Sequence, residues 1–190
     1  MDTTSEMAGE RIVAAIGLAL GLTIITTILD LFGFHFLLTS KNPVFFIGIG
    51  FVVVIAIWFG WKGVLAGYLG CFLGALLTLP IAPEWVFVFA LSEGVQVAVP
   101  ALAFRLSGAN PALRSVKDVS LFLIFGCILN TILSGLIGTY VLCTTGVTPA
   151  GQFISFFEMW IVGDMMAIFI ISTILLSFAT PYMRAKGWIS

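Results

Sequence analysis

Apolar residues gather along this chain into six runs, at about 11–33, 43–60, 63–80, 84–104, 118–142 and 153–180. Within each run the apolar positions are continuous rather than alternating. Their lengths approach the ~20 residues with which a helix crosses a bilayer. Prolines punctuate the pattern: Pro43, Pro80, Pro83, Pro111, Pro149 and Pro181 fall at or between run ends, where helix breakers belong. Pro100 alone lies inside a run, the fourth, and there it deprives the carbonyl of Gln96 of its helical partner. The pattern predicts an all-α integral membrane protein, a single domain over 1–190 with six transmembrane helices.

Composition agrees: 61% of residues are hydrophobic and 9% charged, where a soluble domain carries about 25% charged residues. The expected surroundings are a lipid bilayer. The basic residues are few and scattered, which argues against nucleic acid as a partner. Asp2, Glu6 and Glu10 precede the first run, so it lacks the positive start of a cleavable signal and is read as retained. Charge also sets an orientation. With the N-terminus inside, Arg11, Lys62, Arg105, Arg114, Lys117, Arg184 and Lys186 fall on the inner side and only Lys41 on the outer. That bias obeys the positive-inside rule and predicts a multi-pass plasma-membrane protein with both termini cytoplasmic.

Small residues mark packing faces. Gly63, Gly67, Gly70 and Gly74 share one face of the third helix, and Ser134, Gly135 and Gly138 do so on the fifth. Gly17 and Gly21, with Ala15 and Ala19, form a patch on the first. Such faces let membrane helices approach closely. Packing within the chain is the plain reading, and docking of another membrane protein through Ala15 and Ala19 is the sharper one. Cys71, Cys127 and Cys143 form no CxxC, so neither a disulfide framework nor a zinc site is expected, and no cofactor or metal is implied.

The polar residues carry the candidate chemistry. Asp30, Glu84, Glu93, Glu158 and Asp164 lie in the outer half or at mid-depth, with only Lys41 and His35 to balance them. Asp30, Glu84 and Glu158, near run ends, read as solvated interfacial acids. Glu93 and Asp164 each lie about ten residues below the outer end of a helix running inward, and at ~1.5 Å per residue they reach similar depth. Glu93, Gln96 and Pro100 share a helix face; Trp160, Gly163, Asp164 and Ala167 share another; Asn130 lies mid-span on the fifth helix with Ser134 one turn on. Polar groups in lipid must find partners, so Glu93, Gln96, Asn130 and Asp164 are expected to converge. Two readings stand: a hydrogen-bonded knot that locks the bundle, or a pocket open to the outside that meets a cation, a proton or a small polar ligand. The second draws Glu158, Trp160 and Gly163 into the site, with Trp160 as a wall. Trp58, Trp61 and Trp85, near run ends, read as interface anchors.

Enzymatic readings fail on the motifs. Gly163-Asp164 lacks the first glycine of the Gly-x-Gly-Asp of intramembrane aspartyl proteases and has no Tyr-Asp partner. Ser134-Gly135 lacks the preceding glycine of a rhomboid-like protease, and the single histidine, His35, sits near a helix end. A non-catalytic protein is expected.

Trp160, Gly163 and Asp164, followed by an apolar run and a proline, match the Trp-x-x-Gly-Asp element in the last helix of the membrane-associated sensor (MASE-type) domains of bacterial and archaeal signalling proteins. The stretch from Ser92-Glu93-Gly94 to Phe104-Arg105 resembles their Glu-bearing helix, and Trp58-Phe59-Gly60-Trp61-Lys62-Gly63 the break between their early helices. Ala167 stands where that family usually has glycine, the usual proline near Thr173 is missing, and its longer members have about eight helices. The resemblance covers about 43–180 and implies a sensory input module that signals to a cytoplasmic effector. A second resemblance is to the substrate-binding subunits of energy-coupling factor transporters, six-helix chains that dock a coupling subunit through an Ala-xxx-Ala face, which Ala15 and Ala19 match. Phe59-Gly60-Trp61-Lys62-Gly63 resembles their Phe-Gly-Pro-Lys segment without the proline. It implies capture of a small vitamin and association with transporter subunits.

Overall fold

The computed structural model describes residues 3–40 and 46–189, with side chains from Ala14 onward except Phe36, Thr39 and Ser40. Lys41 and Pro43 lie outside the described residues, as does the side chain of Arg11. Among the described residues the chain is helical and has no strand: α1 (Thr3–Ser40), α2 (Ile47–Phe59), α3 (Trp61–Thr78), α4 (Pro83–Ser107), α5 (Val116–Thr144) and α6 (Ala150–Ala185). Five of these, α1 and α3 to α6, are long and apolar enough to cross a membrane. The sixth, α2, has 13 residues and at ~1.5 Å each covers roughly 20 Å, short of the ~30 Å hydrocarbon core. Exposed Phe32, Leu77, Ile154 and Phe178 give the bundle an apolar outer surface, as membrane helices require.

Side-chain contacts fix the helix directions. Gly63 abuts Ile55 and Gly67 abuts Val52, so α2 and α3 form an antiparallel hairpin. Gly70 meets Thr26 and Gly74 meets Asp30, so α1 and α3 run parallel. Gly50 meets Ile171 while Trp58 donates to Thr180 at 2.9 Å, so α2 and α6 run parallel. Odd-numbered helices therefore point one way and even-numbered ones the other. The α2–α3 junction, the α4–α5 loop and the end of α6 gather at one end, called here the Gly60 end. The α3–α4 and α5–α6 connections lie at the other, the Pro80 end. α4 sits centrally, against α2, α3 and α5, and its side chains reach α6. By contrast α1 packs along α3 and part of α2 and leaves most of its surface bare.

Local chemistry explains the junctions. Gly60 ends α2 and opens α3 with φ 59° and ψ −133°, a conformation only glycine adopts readily. α4 starts on Pro83 with Glu84 in its first turn and ends on left-handed Gly108 with Arg105 in its last; each feature complements that end of a helix. α5 begins with a capping box between Ser115 and Asp118, and Asp118 also accepts from the Asn110 backbone at 2.8 Å. Arg184, near the end of α6, donates to Asn110 Oδ1 at 2.8 Å and ties the last helix to this loop.

Two boundaries differ from the sequence pattern. The first run was expected to end near residue 33, but α1 continues to Ser40; no glycine or proline interrupts Phe34 to Ser40, and a backbone in this setting keeps its internal hydrogen bonds. The last helix passes through Pro181 to Ala185, and that proline is accommodated just after a widened π-helical stretch at Leu175–Ala179. Further π-helical stretches occupy Ile168–Ser172 in α6 and Phe122–Leu129 in α5.

Candidate functional site

The centre of the bundle holds an unusual number of polar side chains. Asp30 and Asn130 are fully buried, and Glu93, Gln96 and Asp164 are all but so. Helix spacing brings them together. Gln96, one turn along α4 from Glu93, donates from Nε2 to Asp164 Oδ2 at 2.7 Å. Asn130 donates from Nδ2 to the Gln96 carbonyl at 3.1 Å, the acceptor that Pro100 leaves without a helical donor. The Asn130 Oδ1 in turn accepts from the Thr131 backbone at 2.8 Å, and Thr131 and Ser134 bond to their own helix. This chain of bonds spans α4, α5 and α6 and holds Gln96 in one orientation. The expected convergence of Glu93, Gln96, Asn130 and Asp164 is thus present, with Glu93 on the far side of Gln96 from Asn130.

Asp30 joins them, contrary to its reading as a solvated interfacial acid. The extension of α1 to Ser40 places it ten residues inside the helix, and close approach at Gly74 seats it against α3. Neither Asp30 oxygen meets an N–H or O–H donor, and Glu93 Oε1 likewise has none. What faces Asp30 is the Glu93 carboxyl, with the Cys71 thiol beside it. Two carboxyl groups in contact need a proton held between them or a cation that bridges them. Gly67 lies beside them, where a Cβ would press on Val52 Cγ1 at 3.1 Å and Val97 Cγ2 at 3.2 Å.

Next to these acids lies a cavity of about 60 Å³. By the same measure a water occupies about 10–15 Å³, so the space suits a few waters or a compact ligand. Glu93, Gln96, Asp164, Ser92 and Cys71 supply its polar floor, and Phe34, Phe89 and Trp160 its walls. It extends along α1 through Gly33 and Leu37 to Phe46, both of the last two partly exposed. Phe89 meets Phe34 edge-on at 5.7 Å and Trp160 at 6.2 Å, so the walls are one aromatic group. Trp160 is set by α5: Gly135 and Gly138 leave the gap its ring fills, and a Cβ at Gly138 would lie 2.9 Å from Cζ3. The Trp160 indole N–H approaches Asp164 without the alignment of a bond, and remains a buried donor without a partner.

The remaining candidates lie elsewhere. Gly163 is buried beside Asp164 but does not line the cavity. Glu158 is exposed, in a shallow surface depression with Ser155, Met159 and Val162. His35 is exposed on α1. Ala15 and Ala19 lie half-buried on α1, and Gly17 and Gly21 face open space. Among the described residues no three His, Cys, Asp or Glu side chains are arranged to hold a metal ion. No protein-family model, curated protein or solved structure matches this chain.

Proposed function

We propose that this chain is a non-catalytic ligand-binding module of the plasma membrane, a sensory input domain whose cavity takes a small organic ammonium ion. One observation carries the reading. Glu93 and Asp164 line a cavity walled by aromatic rings, Asp30 backs Glu93 in carboxyl contact, and Glu93 Oε1 meets no N–H or O–H donor. A buried acid without a partner is costly, and a cation is what such a group would gain most from. Aromatic faces add attraction for ammonium groups. Among the described residues no three side chains are arranged to hold a metal ion, and the room available suits a compact organic cation. The motif Trp160, Gly163, Asp164, which resembles the MASE-type sensor helix, supplies two of the cavity's residues. The topology that accompanies this reading has six membrane helices, five of them full spans and α2 a short one, with both termini cytoplasmic, because the Gly60 end carries Lys62, Arg105, Arg114, Lys117, Arg184 and Lys186.

The test is thermal unfolding of the detergent-solubilised chain with ethylammonium, and with propanol and propionate as neutral and anionic probes of similar size. Stabilisation by ethylammonium alone is expected. Equal shifts with all three, or none with ethylammonium, would remove the proposal.

A specific observation favours a second reading, the substrate-binding subunit of an energy-coupling factor transporter. Only 17% of the apolar window in the Ala14–His35 stretch of α1 is buried, and among the described residues nothing lies within 4 Å of a Cβ placed at Gly17 or Gly21 in its Ala15, Gly17, Ala19 and Gly21 patch. Such a subunit would use that face to dock its coupling partner. Co-purification with a membrane coupling subunit and paired ATPases, lost in an Ala15→Leu, Ala19→Leu variant, would select this reading; a native gene continuing into a kinase or cyclase would select the sensor.

A further inference from the structure

A second cavity lies at the Gly60 end and is separate from the acidic one. It measures about 430 Å³ and is formed by the α2–α3 junction, the end of α4, the α4–α5 loop and the last residues of α6. Arg105 and Arg184 line it from two different helices, with Trp61 at the α2–α3 junction and Phe104 and Ile189 forming apolar wall. Arg184 is oriented by its 2.8 Å bond to Asn110 Oδ1. Lys117 Nζ donates to the Ser107 carbonyl at 2.7 Å and adds positive charge to the same loop. Trp61 and Leu106 are among the most exposed apolar side chains here, at 63% and 83%, so the cavity adjoins surface suited to acyl chains.

We infer that this cavity binds the phosphate headgroup of an anionic phospholipid from the surrounding leaflet, with Arg105 and Arg184 as the recognising groups. The guanidinium fork matches phosphate oxygens, and basic pockets between membrane helices at the headgroup level have this chemistry. A free phosphate would satisfy the arginines but would make no use of the Trp61 and Leu106 surface, which favours the lipid. The site is independent of the ammonium cavity and stands or falls without it.

Native mass spectrometry of the full chain in detergent, titrated with phosphatidylglycerol or with phosphatidylcholine of the same acyl chains, tests the inference. Phosphatidylglycerol should bind first and more tightly, and Arg105→Gln with Arg184→Gln should weaken it roughly tenfold. Lys62→Gln removes one charge at this end outside the cavity, as Arg105→Gln alone does inside it, and should change it by less than about twofold. Since Arg184 also braces the loop, Arg105→Gln alone provides a second variant, with a loss of about threefold expected. Equal binding of both lipids, an undiminished affinity in the arginine variants, or an equal loss in Lys62→Gln would overturn the inference. Displacement of phosphatidylglycerol by millimolar inorganic phosphate would overturn the lipid assignment in favour of a soluble phosphate.

Discussion

Asp30, Glu93 and Asp164 owe their proximity to different causes. Glu93, Gln96 and Asp164 could be placed together from helical spacing and common depth alone, and Pro100 identified the carbonyl that Asn130 reaches. Asp30 could not, because its apparent position at a helix end depended on a boundary that no glycine or proline marks. Glu158, six residues before Asp164, lies roughly 240° around the helix from it at 100° per residue, and the structure puts it on the outside. These roles separate on substitution. Asn130→Ala should destabilise the fold by about 1–3 kcal/mol, because the Gln96 carbonyl loses its donor in a dry setting; urea or SDS unfolding in mixed micelles would measure it. Asp164→Asn keeps a carbonyl oxygen for Gln96, so unfolding should change by less than ~1 kcal/mol. Its stabilisation by ethylammonium should nevertheless disappear. A variant that kept the full stabilisation would show that the Asp164 charge is not used.

Glycine faces set how closely the helices approach, and the sequence showed their positions but not their partners. On α3, Gly63 and Gly67 serve α2 and α4, while Gly70 and Gly74 serve α1. Gly63→Ala would put a Cβ 2.5 Å from the Ile55 carbonyl oxygen and 2.7 Å from Ala56 Cα. Backbone atoms cannot rotate away, so a loss of about 1–3 kcal/mol is expected in the same unfolding assay. A Cβ at Gly17 on α1 meets no described atom within 4 Å, so Gly17→Leu should leave stability within ~0.5 kcal/mol of wild type, while abolishing capture of a coupling subunit if α1 docks one. The π-helical stretches had no sequence signal. They begin one turn after Asp164 in α6 and end just before Asn130 in α5, so both helices change winding beside the polar cluster. Such widened turns are frequent at functional sites.

At the scale of the whole molecule, alternating helix directions follow from the short connections, and the basic residues collect at one end of the bundle. Single-cysteine labelling in intact cells, with Cys71, Cys127 and Cys143 replaced, checks the orientation: Gly146→Cys should react with an impermeant maleimide from outside and Gly108→Cys only after permeabilisation. The reverse pattern would turn the Leu37 and Phe46 end of the cavity toward the cytoplasm. The all-helical class and the membrane character were legible because lipid leaves few alternatives to a helix. The number of full spans was not, since α2 is apolar throughout yet covers less than the bilayer core, and its length depends on backbone geometry at Gly60 that hydropathy does not report. The carboxyl cluster is proposed to bind an organic cation. Titration calorimetry of ethylammonium into the nanodisc-reconstituted chain tests it most directly, beside Glu93→Gln. Saturable binding at one site per chain in the wild type, weakened at least tenfold by Glu93→Gln (about 1.4 kcal/mol), is the result predicted. No saturable binding, or equal affinity in the two proteins, would contradict it.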